Sequence, residues 1–168
     1  MFEINKTEEI QRLIDITKSD SGISGPELVK AHIALGEALG KQMTGNFKPE
    51  DTTIVAMLRG GIFFAEGMYF AMGCRLQTFD PKHEEFVRPE TKNVVLVDSV
   101  INTGKTIVSI LDKNMAVACC VINEQAVPMF EDQLYTIRVS KNSFVGGNVR
   151  KQEGKVGPDT TMRLFNQL

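Results

Sequence analysis

The run Val94-Val95-Leu96-Val97-Asp98-Ser99-Val100-Ile101-Asn102-Thr103-Gly104-Lys105-Thr106-Ile107-Val108-Ser109-Ile110-Leu111 decides the fold. Val94 to Val97 read as a buried strand that ends on an acid, and an apolar helix is expected over Thr106 to Lys113 after the Thr103-Gly104 turn. Such a junction presents the backbone N–H groups of Asn102 to Thr106 to an anion. The helix N-terminus adds partial positive charge, and the hydroxyls of Thr103 and Thr106 add donors. Gly104 lets the backbone close on the anion without a Cβ in the way. Asp98 narrows the choice of ligand. A carboxylate repels polyphosphate but accepts well from ribose hydroxyls. Ser99 to Thr106 differs from the Walker A pattern only by Ser in place of the first Gly, and Asp98 is the argument against that nucleotide triphosphatase reading. One acid for a ribose diol and one Thr-Gly nest for a 5-phosphate fit a phosphoribosyl ligand.

The same alternation extends in both directions. Thr52 to Leu58, Met115 to Ile122 and Leu134 to Val139 read as strands, with Arg75 to Phe79 as another short one. Helical runs at Ile62 to Met72 and Glu124 to Glu131 separate them. This order predicts an α/β fold with a mostly parallel central sheet flanked by helices. Upstream, Glu8 to Ile16 and Glu27 to Met43 carry apolar residues at helical spacing, including Leu28, Ala31, Leu35, Ala38 and Leu39. Ser24 is the expected N-cap of the second helix, with Pro26 in its first turn. Residues 142–155 are polar and glycine-rich, the pattern of a mobile or ligand-ordered segment. The whole chain, 1–168, is expected to be one domain.

Composition closes off several classes. Nineteen basic residues against twenty-one acidic ones give a net charge of -2, which does not call for nucleic acid or an anionic membrane. No apolar stretch approaches the ~20 residues that cross a bilayer, and no charged-then-apolar segment opens the chain, so a cytoplasmic location is expected. Cys74, Cys119 and Cys120 make no even disulfide framework and, with His32 and His83, no zinc spacing; burial is their expected role. Met57, Met68, Met72 and Met115 likewise fall at core positions.

Leu58-Arg59-Gly60-Gly61 forms a second strand-to-helix loop. Ligands bind at the carboxyl edge of parallel sheets, and an arginine beside free backbone N–H groups suits a diphosphate.

The run Val94 to Leu111 resembles the PRPP-binding motif of type I phosphoribosyltransferases: four apolar residues, acids, apolar residues and a Thr-Gly turn. That family usually carries two adjacent acids, and here Ser99 occupies the second position. Uracil phosphoribosyltransferases also keep only the first acid, and Leu58-Arg59-Gly60-Gly61 resembles their pyrophosphate loop. Gly154 to Leu168 is similar to their Gly-Asp-x-Gly-Asp-Arg segment, Asp159 and Arg163 matching its last acid and Arg with altered spacing; an exposed tail with a satisfied salt bridge is the alternative. The resemblance implies the type I fold with a small hood built from the N-terminal helices (1–45) and residues 140–168. It implies PRPP bound by Arg59, Gly60, Gly61, Asp98, Ser99, Asn102, Thr103, Gly104, Lys105 and Thr106, with Asp98 and Arg59 central to catalysis. Phe144, Val145, Gly146 and Asp159 are implied to hold the base. Mg²⁺ is implied as cofactor, held through PRPP and water with no direct protein ligand. The expected partners are PRPP and a nucleobase, uracil first and hypoxanthine, xanthine or guanine as the alternative, in a homodimer or higher homo-oligomer. A PRPP-sensing regulator is a further alternative, opposed by the absence of a basic stripe or a helix-turn-helix pattern.

His32 lies on a helix without triad partners, so a structural role is expected. His83 sits in the polar connection Asp80 to Pro89. In the resembling family that connection is a flexible loop covering the transition state; a solvated surface loop is the alternative.

Overall fold

A computed structural model describes residues 1–141 and 159–168. Its elements are β1 (Phe2–Glu3), α1 (Glu8–Thr17), α2 (Pro26–Met43), β2 (Thr52–Met57), α3 (Ile62–Met72), β3 (Arg75–Phe79), β4 (Asn93–Ile101), α4 (Lys105–Val108), β5 (Met115–Asn123), β6 (Leu134–Ser140) and α5 (Thr160–Leu164). The six strands form one sheet in the order β1-β6-β5-β4-β2-β3, and every neighbouring pair is parallel. The expected parallel α/β architecture is therefore what the chain adopts. From β2 the chain moves outward to β3; it then returns to β2's other side with β4 and continues through β5 and β6. The order of strands thus reverses between β2 and β4, and a crevice at that switch point opens at their carboxyl ends.

Period-two alternation fills both faces of the sheet. Ile54, Ala56, Val95 and Val97 face α1, α2 and α3, where Ile14, Leu35, Leu39, Phe64 and Met68 meet them. Val55, Met57, Val94, Leu96 and Val117 face the other layer with Ile107, Phe130 and Leu134. Strands buried on both faces explain the nearly continuous apolar runs. All three cysteines and the four methionines named above are buried. Helices α2 and α3 touch backbone to backbone through glycines. A Cβ built on Gly67 would lie 2.0 Å from the Ile33 carbonyl oxygen, and one on Gly36 would lie 2.1 Å from that of Phe64. This contact presses α3, and with it the loop that leads into α3, against α2.

The structure departs from the sequence expectations at four places. β4 does not end at Asp98: Asp98, Val100 and Ile101 pair with Cys119, Val121 and Ile122. The helix expected over Thr106 to Lys113 is one turn, Lys105–Val108; beyond it the backbone tightens, the Ile110 N–H reaching the Ile107 carbonyl, and Asp112 Oδ1 accepts from the Asn114 N–H in a local turn that competes with helix. Glu124 to Glu131 is not an α-helix. Pro128 lacks the N–H that would reach Glu124, and the segment makes 3-10 turns at Val127–Met129 and Glu131–Gln133 instead. The cap of α2 is Gly25 rather than Ser24, with φ at 64° and Pro26 at the first helical position. Residues 142–155 lie outside the described residues.

Candidate functional site

The glycine loop after β2 lies directly against β4 at the switch point between these two strands. A Cβ built on Gly61 would fall 2.5 Å from the carbonyl oxygen of Val97 and 3.0 Å from the Cα of Asp98. Only glycine lets the loop after β2 lie this close to β4, and the approach brings Gly60 beside Asp98. A methyl on Gly60 would stand 3.5 Å from Asp98 Oδ1 and 2.9 Å from Thr161 Oγ1. The peptide joining Leu58 to Arg59 is cis. The contacts of Gly60 and Gly61 place this loop beside Asp98, and Arg59 precedes them in it.

The environment of Asp98 is polar in its bonds and apolar in its bulk. Its Oδ1 accepts from the Ser99 N–H at 2.7 Å, and the side chain is half-buried over β4. Burial pushes its pKa up to about 7 against the opposing backbone N–H groups of Ser99 and Val100. Ser99, next in an extended strand, turns inward: it is 1% exposed, and its hydroxyl has no hydrogen-bond partner among the described residues. Because Ser99 to Ile101 are strand, there is no room for a Walker-type loop to begin at Ser99. The turn between β4 and α4 is thereby confined to residues 102–104.

Gly104 caps α4 with φ at 72°, in the left-handed region that favours glycine. A Cβ there would meet the Phe130 ring at 2.9 Å. The glycine thus answers to packing from beneath as well as to any ligand from above. On the other flank of Lys105 and Thr106 lies a cavity of about 470 Å³, reaching Glu84 and the Phe79–Phe86 ring pair. The connection carrying His83 is tied down. Asp80 Oδ2 accepts from His83 Nδ1 at 2.8 Å, and Arg88 Nε donates to Asp112 Oδ2 at 3.0 Å.

The C-terminal helix forms a third wall, and much of its chemistry is structural. Asp159 caps α5, its Oδ1 accepting from the Met162 N–H. Arg163 is 1% exposed and points away from the crevice. It donates to the carbonyls of Thr17 and Ile23 and to Ser21 Oγ, which fastens α5 to the α1–α2 connection. Arg163→Met is therefore expected to cost roughly 2–3 kcal/mol, because buried carbonyls lose a charged donor. Urea unfolding would measure this, and a change under about 0.5 kcal/mol, the size of an ordinary surface substitution, would count against the clamp. Thr161, Phe165 and Gln167 reach the loop after β2 and were not singled out from the sequence. Phe144, Val145 and Gly146 lie outside the described residues. His32 is buried, and burial pulls its pKa down to about 4 while Nδ1 donates to the Leu28 carbonyl. It is a neutral core group.

Among the described residues no three His, Cys, Asp or Glu side chains converge to hold a metal. One carboxylate at the crevice suits an ion that keeps waters and phosphate oxygens as its main ligands. No described helix is long and apolar enough to cross a membrane.

The all-parallel sheet with this switch point and flanking helices is the type I phosphoribosyltransferase fold, and solved structures bear this out. AQ2163 protein from Aquifex aeolicus aligns with a TM-score of 0.67 at 17% identity, covering 83% of this chain and 87% of that one. A hypoxanthine-guanine phosphoribosyltransferase of Bacillus anthracis aligns at 0.51 and 13% identity, covering 70% and 82%. A hypoxanthine-guanine-xanthine phosphoribosyltransferase aligns at 0.50 and 14%, covering 78% and 87%. No family model matches the chain, and no curated protein matches it.

Proposed function

We propose that this chain transfers ribose 5-phosphate from PRPP to a nucleobase nitrogen with release of diphosphate. The observation that carries the reading is the meeting of Gly60-Gly61 and Asp98 across the switch point, with Gly60 within a methyl's reach of the carboxylate. The 5-phosphate lies in the Asn102 to Thr106 cradle, the ribose hydroxyls donate to Asp98, and the diphosphate lies over Arg59 to Gly61. The base nitrogen forms its bond to C1 of the ribose as the bond from C1 to the diphosphate oxygen breaks, and the nitrogen's proton is lost to solvent. Arg59 and the loop amides receive the charge that develops on the leaving group. Bound with the diphosphate, Mg²⁺ supplies further neutralisation of that charge.

Uracil is supported as the base by Leu58-Arg59-Gly60-Gly61 and by the single acid. Transfer to a purine is the second reading, favoured by the base names of the two neighbouring transferases. The test is incubation with PRPP, Mg²⁺ and each labelled base in turn. A nucleotide product is expected from one class of base. PRPP binding without product from any base would favour a sensor. Linkage offers a parallel check: PRPP at a hundred times its Kd adds ~2.7 kcal/mol of stability, or roughly 5–11 °C for a domain of this size. ATP is expected to give little shift. Protection by ATP with PRPP inert would restore the triphosphatase reading.

A further inference from the structure

An arginine that grips a leaving group from an exposed loop has a long, many-rotor side chain to order. Its grip is weakened unless the protein orders it beforehand. Arg59 is exposed, yet it is held from a part of the chain over a hundred residues away. Its Nη2 donates to Gln167 Oε1 at 3.2 Å, and its guanidinium carbon stands 4.9 Å from the centre of the Phe165 ring. Phe165 in turn packs against Phe63 of α3, their ring centres 5.4 Å apart. The buried Arg163 anchors the helix that delivers both residues.

We propose that Phe165 and Gln167 are positioning residues that pre-order the Arg59 guanidinium for the diphosphate group; the inference rests on the assignment of this loop to the diphosphate. The chemistry of the two partners fits the task. The ring face attracts the cation without using any of its N–H donors. A neutral amide oxygen takes one donor of five and leaves the positive charge intact, whereas a carboxylate there would neutralise it. Among the described residues the other four donors have no partner, and they remain for phosphate oxygens.

Calorimetric titration of the full chain tests this with three ligands: PRPP with Mg²⁺, inorganic diphosphate with Mg²⁺, and ribose 5-phosphate, which has no diphosphate. Phe165→Leu and Gln167→Ala are each expected to weaken PRPP and diphosphate by roughly two- to fivefold, the size of an exposed cation–π or neutral hydrogen bond. Phe165→Tyr, which keeps the ring, is expected to bind as the wild type does. Ribose 5-phosphate affinity is expected to stay unchanged throughout, and neither substitution should matter further in an Arg59→Ala background. A thermal melt accompanies each variant. Gln167 is exposed, so its variant decides the matter if Phe165→Leu does not fold. PRPP binding unaltered in both variants overturns the positioning role, as does an equal loss for ribose 5-phosphate or a full loss without Arg59. A wild type that does not bind PRPP overturns the transferase reading itself, and the inference with it.

Discussion

Gly67→Ala is expected to be among the most damaging single substitutions in the chain, lowering stability by about 4 kcal/mol or more and Tm by roughly 8–16 °C. The added carbon would lie 2.0 Å from the Ile33 carbonyl oxygen and 2.8 Å from its carbon, and both are helix backbone that cannot rotate aside. Relief requires α2 and α3 to move apart along their whole contact. Overpacking against side chains costs ~1–3 kcal/mol because rotamers can adjust; here the obstacle is the main chain, so the cost goes beyond that range. The helix propensity of Ala works in the opposite direction by only about 1 kcal/mol. Thermal or urea unfolding of Gly67→Ala, with Gly73→Ala as a control, measures the effect. Gly73 has open space around it but a φ of 61°, so its variant reports dihedral strain without a clash. A Gly67 variant no worse than that control would refute the backbone contact. Because α3 begins at the loop holding Arg59, surviving protein is also expected to bind PRPP more weakly.

What could be read from the sequence follows the range of the interaction responsible. The strands and α3 were legible because burial on two faces leaves an unbroken apolar run, and the bounds of α3 and β3 agree with the expectation. The end of β4 was misread because Asp98 and Ser99 look like a boundary. The pairing of Val100 with Val121 that continues the strand involves another segment altogether. Pro128 is a local signal against a helix through Glu124 to Glu131, since it lacks the N–H that would bond the Glu124 carbonyl. Gly60, Gly61, Asp98 and Gly104 stand out in local patterns, because each motif lies within a few consecutive residues. Their neighbours Thr161, Phe165 and Gln167 do not, since no short-range pattern links Arg59 with Gln167. Arg163 shows the same limit from the other side. Its motif likeness carried no partner, and its bonds to Thr17 and Ile23, remote in sequence, make it a buried clamp.

Asp98→Asn is expected to give a protein that is more stable and less active. The sign follows from the direction of the pKa shift. Burial raises the folded-state value to about 7, above the ~3.9 of an unfolded chain, so this carboxyl favours the fold while neutral, below pH ~3.9. That contribution is lost as pH rises from there to about 7 and is absent above it. Asn stays neutral and can still accept from the Ser99 N–H. It is therefore expected to raise stability at pH 7–8, where the folded protein must hold Asp98 ionised, and to make little difference near pH 4. Melting curves of both proteins across pH 4 to 8 would show the gap opening with pH. Parallel profiles would mean that Asp98 carries no such burden. Catalysis is expected to move the other way. Exchanging an ionised acceptor for a neutral one removes ~1.5–3 kcal/mol of charge-assisted hydrogen bonding to the ribose, a loss of about 10- to 150-fold in turnover. Ribose hydroxyls and the cation that accompanies the diphosphate are the groups that would make an ionised Asp98 comfortable in this crevice. A stable Asp98→Asn protein with undiminished turnover would separate the two effects and remove Asp98 from the ribose site.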